Sequence, residues 1–171
     1  MAGVSHIDEI IDYKQKIINT LGSSKAIVGL LLDDPKINME SELAYSVFDN
    51  NLFDYDYINS TLVQATALIM VEAEIPKIST ATIKDMTLYV QVVVSKDYMK
   101  LNSSKFRGVK GNRRDNIVRQ IDLLLNNDKS YGIGGIKLER VVVSGVPEGN
   151  SASMLTYSVV EFARDRRLGN G

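Results

Sequence analysis

Cysteine and tryptophan are absent from the 171-residue chain, and histidine occurs once, as His6. Without cysteine there is no disulfide framework, thiol nucleophile, Cys-based zinc site or Cys-ligated iron-sulfur cluster. A Ser/His/Asp triad or a multi-histidine metal site would have to rest on His6 alone, which sets aside most familiar hydrolases. Long apolar runs are missing as well: no stretch of about 18 apolar residues is present to span a bilayer. Residues 1–9 carry neither a basic n-region nor a long apolar h-region and do not read as a secretory signal. Nor is there an excess of one charge sign. Twenty Lys and Arg stand against 21 Asp and Glu, a formal charge of −1, which alone points neither toward nor away from a polyanionic partner. These absences imply synthesis in a cytoplasm and no membrane partner.

What is present is globular material, 44% hydrophobic and 24% charged. A chain this long buries roughly 70% of its unfolded surface and needs no staple, so one domain over residues 1–171 is expected. Residues 5–21 place Ile7, Ile10, Ile11, Ile17, Ile18 and Leu21 at helical spacing, with Ser5 as N-cap and Asp8 and Glu9 in the first turn. Gly22 closes that helix, and Ser23 opens an apolar run over 26–32 that fits a helix turn or a strand. Residues 62–75 alternate with period two, a long strand that Pro76 ends or pushes to an edge. Residues 87–95 repeat the alternation after a hairpin loop over 77–86. Asn112 caps a helix over 112–126 that buries Ile117, Val118, Ile121, Leu124 and Leu125 and exposes Arg113, Arg114, Arg119 and Asp122. Strands over 136–144 and 153–162 are joined through Gly145, Pro147, Gly149 and Asn150. The fold class is therefore α+β, a mainly antiparallel sheet packed against helices, with a flexible tail over 163–171.

Charge is segregated along the chain. Residues 33–58 hold seven Asp and Glu against Lys36 alone, with Tyr45, Phe48, Phe53, Tyr55 and Tyr57 between them. This acidic arm reads as irregular and extended, some of its rings packing on the core or on a neighbouring subunit. Residues 96–119 carry eight Lys and Arg against Asp97 and Asp115. A basic loop over 96–114 and an acidic arm on one chain suit a head-to-tail contact between copies, which closes into a ring. The alternative is a small nucleic-acid-binding module using residues 96–119, weakened by poor aromatic interleaving, Tyr98 and Phe106 only.

Chemistry has few candidates. The glycine cluster at Gly132, Gly134 and Gly135 leaves a helix and enters a strand, the reverse of a phosphate loop, and reads as a turn. Glu72 and Glu74 share one strand face and could grip a cation or move a proton, although a solvated sheet face produces the same alternation. Met86, Met99 and Met154 read as core filler, and His6 as a surface residue. No catalytic, cofactor-binding or metal-binding residue is expected.

Several phrases carry a resemblance: DYDYINSTLVQA from Asp54, TLYVQVVV from Thr87, RRDNIVRQIDLLLN from Arg113, YGIG from Tyr131 with IKL from Ile136, and LTYSVVEF from Leu155. Over residues 55–164 the chain resembles the tail terminator, or tail completion, proteins of tailed bacteriophages. The resemblance implies a ring, commonly a hexamer, that stops tail-tube growth at the head-proximal end and joins the tube to a head-side connector. It implies a place in the virion neck after assembly in the host cytoplasm, and no cofactor or chemistry. Partners would be other copies of the chain, the tail tube protein, the connector and, transiently, phage DNA in the lumen. A head-closure or connector subunit is the nearest alternative. The surfaces expected to carry the contacts are Asp33, Asp34, Asp49, Asp54 and Asp56 on one side and Lys105, Arg107, Lys110, Arg113 and Arg114 on the other.

Overall fold

The opening helix forms where apolar residues recur at helical spacing. In a computed structural model that describes residues 6–56, 66–78, 83–131 and 135–162, α1 runs His6–Gly22, with Asp8 and Glu9 against the positive end of its dipole. It buries Ile17, Ile18 and Leu21. Ser5 lies outside the described residues. The ambiguous run that follows is a helix, α2 (Lys25–Leu31), capped by Ser24 rather than Ser23. It ends on Asp33 at a φ of 57°. The Asp34 amide then donates to the Gly29 carbonyl at 2.9 Å, closing the helix in the manner of a left-handed cap.

The acidic arm departs from expectation. In place of an extended segment it holds two short helices, α3 (Glu42–Tyr45) and α4 (Val47–Asn50), and a strand, β1 (Leu52–Phe53). Local capping and burial explain the difference. The Ser41 hydroxyl accepts from the Ala44 amide at 3.2 Å, and Ala44, Val47 and Leu52 each enter the core. Among the aromatics of the arm, Phe48 packs against the main core and Phe53 against a second cluster, whereas Tyr45 and Tyr55 stay exposed. Tyr57 lies outside the described residues.

The sheet is completed by β2 (Ala67–Ile78), β3 (Ile83–Ser95), β4 (Ile136–Ser144) and β5 (Asn150–Phe162). Its order is β1-β2-β3-β5-β4, every pair antiparallel apart from β1 with β2. The fold is thus α+β, with helices on one face of a mixed and mostly antiparallel sheet. Pro76 does not end β2. A register shift between Glu74 and Lys77 carries the strand past it to Ile78, a way for proline to persist where no ladder bond is needed. The hairpin connection is correspondingly shorter than 77–86, and β5 starts at Asn150 rather than Ser153. Val63 and Ala65 of the expected first strand, Gly132 and Gly134 of the glycine turn, and the tail over 163–171 lie outside the described residues.

The last helix, α5 (Arg113–Leu125), starts at Asn112, whose side chain accepts from the Asp115 amide at 2.9 Å. Ile117, Ile121 and Leu125 are fully buried, and Val118 and Leu124 flank them half-buried. Facing them across the main core are Ile69 and Val71 of β2, Leu88, Val90 and Val92 of β3, and Leu155 and Tyr157 of β5. Burying one such side chain contributes roughly 1.5–3 kcal/mol. Among the described residues the opposite sheet face carries a small buried cluster, Leu68, Met70, Val93 and Ala152.

Edge strand β4 has two unlike halves. After α5 the chain turns, and the Asn127 amide donates to the Ile136 carbonyl at 2.7 Å while the Ile136 amide donates to the Asp128 carbonyl at 3.0 Å. The Leu138 amide donates to the Asn126 side-chain oxygen at 3.1 Å. The register then shifts between Leu138 and Arg140. Beyond that shift, residues 140–144 have no strand on their outer side among the described residues.

Candidate interface and the clasp beneath it

Arg113, at the first position of α5, is only 1% exposed, which corrects the expectation of a surface cation. Geometry explains the burial. Its Nε donates to the Tyr98 carbonyl at 2.8 Å, one terminal nitrogen to the Leu30 carbonyl and the other to the Asp33 carboxylate, both at 2.5 Å. The guanidinium carbon sits 3.8 Å from the centre of the Tyr98 ring and 5.8 Å from that of Phe106. A planar fork can take two carbonyls and a carboxylate at once and still offer its face to a ring, which an ammonium cannot. The Asp33 carboxylate offsets the awkward placement of this positive charge at a helix N-terminus.

Asp33 is shared. Lys105 donates to its carboxylate at 2.8 Å and to its main-chain carbonyl at 2.9 Å. Burial pushes the Asp33 carboxyl up, but hydrogen bonds from Lys105 and Arg113 outweigh it and hold the group below its ordinary 3.8. In return the Asp33 hydrogen bond raises Lys105 above 10.5. The Tyr98 hydroxyl donates to the Leu31 carbonyl at 3.0 Å, and Asn116 donates to the Lys110 and Asn112 carbonyls. The basic loop is thereby tied to the end of α2 within one chain.

This clasp redistributes the expected interface. Asp33, Lys105 and Arg113 pair with one another inside the subunit. Arg114 is largely occupied too, donating to the Ser151 hydroxyl at 2.7 Å and to Asp115 at 2.9 Å. Asp34 is half-buried and accepts from the Lys36 amide at 3.0 Å. Asp54 is half-buried, its carbonyl accepting from Lys14. Asp49, Asp56, Arg107 and Lys110 are exposed and make no ion pair among the described residues.

The sheet register locates these groups. Leu52 pairs with Ile69, two positions from the Ala67–Val94 pair, while Val94 pairs with Ser151 and Ser144 with Ala152. The acidic β1 side and the open half of β4 therefore lie at one end of the sheet, on its two outer edges. The basic loop leaves β3 at that same end. Sequence reasoning missed Tyr98 and Phe106 as the bed of a buried guanidinium and missed the open half of β4. The loop aromatics were visible as residues; their convergence on Arg113 was not.

Glu72 and Glu74 go to separate partners. Lys14 reaches Glu72 at 3.3 Å, and the Tyr89 hydroxyl donates to Glu74 at 2.5 Å, which raises the Tyr89 phenol above its ordinary 10. Among the described residues no group of three or more His, Cys, Asp or Glu is arranged to hold a metal ion. No helix there is long and apolar enough to cross a membrane.

Helices packed on one face of a mixed, mostly antiparallel sheet define the class as an α+β protein, and the family its sequence matches is phage-derived. The particular family is YomW: the chain matches it over residues 8–159 and belongs to it. No curated protein matches the sequence.

Proposed function

We propose that this chain is a structural virion protein of the phage neck: a tail terminator that caps the tail tube as a ring and joins it to the head-side connector. One observation carries the reading. Among the described residues, exposed acids that make no ion pair remain on one flank, Asp49 and Asp56, and exposed cations of the same kind remain on the basic loop, Arg107 and Lys110. Complementary surfaces on different flanks of one subunit suit a heterologous contact, which closes when the rotation permits. Membership in a phage-derived family supports the setting, as does the resemblance over residues 55–164. Stopping a tube requires one face that matches the last ring and an opposite face that refuses another tube subunit, a task for shape and charge rather than bond chemistry. A polar lumen with few free cations would let DNA slide, and the clasp removes Lys105 and Arg113 from that lumen's charge.

The test is light scattering coupled to size exclusion, followed by imaging of tail tubes mixed with the protein. The expected result is a ring of several copies and tubes capped at one end. A chain that stays monomeric and binds DNA tightly with strong salt dependence overturns the proposal in favour of a nucleic-acid module. A ring that binds only the head side, never the tube, overturns the terminator role in favour of head closure.

A further inference from the structure

We infer that the open half of β4, residues 140–144, is a seam that receives the acidic β1 edge of a second copy. This rests on the ring reading above and names the surfaces that meet in it.

Edge strands invite pairing with other chains, and folded proteins blunt them with proline, lysine, bulges or cover. Among the described residues, the edge of β2 beyond β1 and the first half of β4 are treated in that way. The outer side of β2 beyond β1 carries Pro76 and a register shift, and Lys14 reaches over it to Glu72. The first half of β4 is closed by the turn at Asn126, Asn127 and Asp128. Residues 140–144 read Arg-Val-Val-Val-Ser, with no proline, no lysine and no cover among the described residues. Val141 is 48% exposed and Val143 77%. Two valines on one face of an unblunted edge amount to an apolar stripe beside open main-chain groups. The groups of Ile136 point outward, as their bonds to Asn127 and Asp128 show. The antiparallel alternation, counted through the pairs Arg140–Thr156 and Val141–Leu155, turns those of Val141 and Val143 outward too.

Charge identifies the occupant. The other lateral edge of the same sheet, at the same end, bears Asp54, the half-exposed ring of Tyr55, and Asp56. Arg140 is exposed on β4. Setting one edge against the other brings a cation to carboxylates and valines to an aromatic ring, and it joins unlike edges, as a ring requires. Pairing β4 with β4 of a second copy about Val142 would place Arg140 opposite Ser144, gain no charge contact and close a dimer that cannot grow.

Two variants test the seam by native mass spectrometry and light scattering. Val143→Lys blunts the β4 edge at a solvent-exposed position, and the double variant Asp54→Asn, Asp56→Lys reverses the opposite edge. Each alone is expected to keep the parent's melting temperature and to raise the concentration needed for assembly at least tenfold. Mixed in equal amounts, the two should form one heterodimer, because each retains one working edge. Assembly of Val143→Lys like the parent overturns the seam while leaving the ring reading intact. A parent that is monomeric at every concentration overturns the ring reading and the seam with it. A parent dimer abolished by Val143→Lys but untouched by the acidic-edge variant shows two-fold β4 pairing and overturns the proposal.

Discussion

Asp33, held in the left-handed backbone region at φ 57°, closes a 2.5 Å ion pair on Arg113, 80 positions later in the chain. Aspartate in that conformation costs on the order of 1 kcal/mol relative to glycine, so the carboxylate is retained where the backbone alone would favour losing the side chain. The clasp joins the end of α2 to the start of α5 and fixes the loop between β3 and α5.

Replacing Asp33 with Asn keeps a residue that tolerates left-handed backbone and removes the charge. The expected loss at neutral pH is about 1–2 kcal/mol, the scale of hydrogen bonds to charged groups. The pH dependence follows from the shifts. The lowered Asp33 carboxyl contributes stability above its ordinary value of 3.8, lost as pH falls through the folded-state value. The raised Lys105 ammonium contributes below 10.5, lost as pH rises through its own. Chemical denaturation across pH should show the variant losing both slopes, acid and alkaline. An unchanged acid slope would contradict the assignment.

Arg113→Lys keeps the charge and loses the fork. A lysine cannot serve the Leu30 and Tyr98 carbonyls and Asp33 in one plane, so the substitution should cost about 2–4 kcal/mol despite its conservative appearance. Thermal melting would read the loss. Hydrogen exchange should quicken first in the Met99–Arg113 link, where the Arg113 amide donates to the Met99 carbonyl at 2.8 Å.

Tyr157 offers the opposite sign. Its ring is fully buried, and neither its hydroxyl nor the buried Oδ1 of Asp122 has a hydrogen-bond partner among the described residues. Burial first, and then the negative charge of Asp122, push the phenol above its ordinary 10. Tyr157→Phe should therefore be neutral or stabilising by up to about 1–2 kcal/mol. A melting temperature that falls would mean that the hydroxyl is satisfied after all.

Gly29 sits inside α2, where alanine would ordinarily gain about 1 kcal/mol. Its added Cβ, however, would lie 2.8 Å from the Asp34 carbonyl oxygen and 3.1 Å from Pro35 Cα. Both are main-chain atoms of the turn that closes the helix. Overpacking of this kind costs about 1–3 kcal/mol, so Gly29→Ala should destabilise on balance, with denaturant midpoints as the measurement.

Much of the fold was legible because it rests on periodicity. Residues 87–94 could bury Leu88, Val90, Val92 and Val94 together only as a strand, and Asn112 before a 3.6-residue stripe could only start a helix. The α+β class follows from the order of such segments, with no knowledge of contacts. The acidic arm was illegible in detail. Its short helices are specified by a serine cap and two buried apolar side chains, Ala44 and Val47, too few residues for a periodic signal.

Charge was legible only as a sum over segments. The sequence alone determined that acids gather in residues 33–58 and cations in 96–114, and that strands and helices alternate as they do. It could not say that Asp33 and Arg113 neutralise each other inside the subunit, or that, among the described residues, Asp56 and Lys110 make no ion pair and half of β4 has no neighbouring strand. Those facts depend on separations through space between residues far apart in the chain. Hydrogen bonds need contact within about 3.5 Å and screened charges interact over roughly 10 Å, so only the tertiary structure decides which charges are consumed within the fold and which face outward to another molecule.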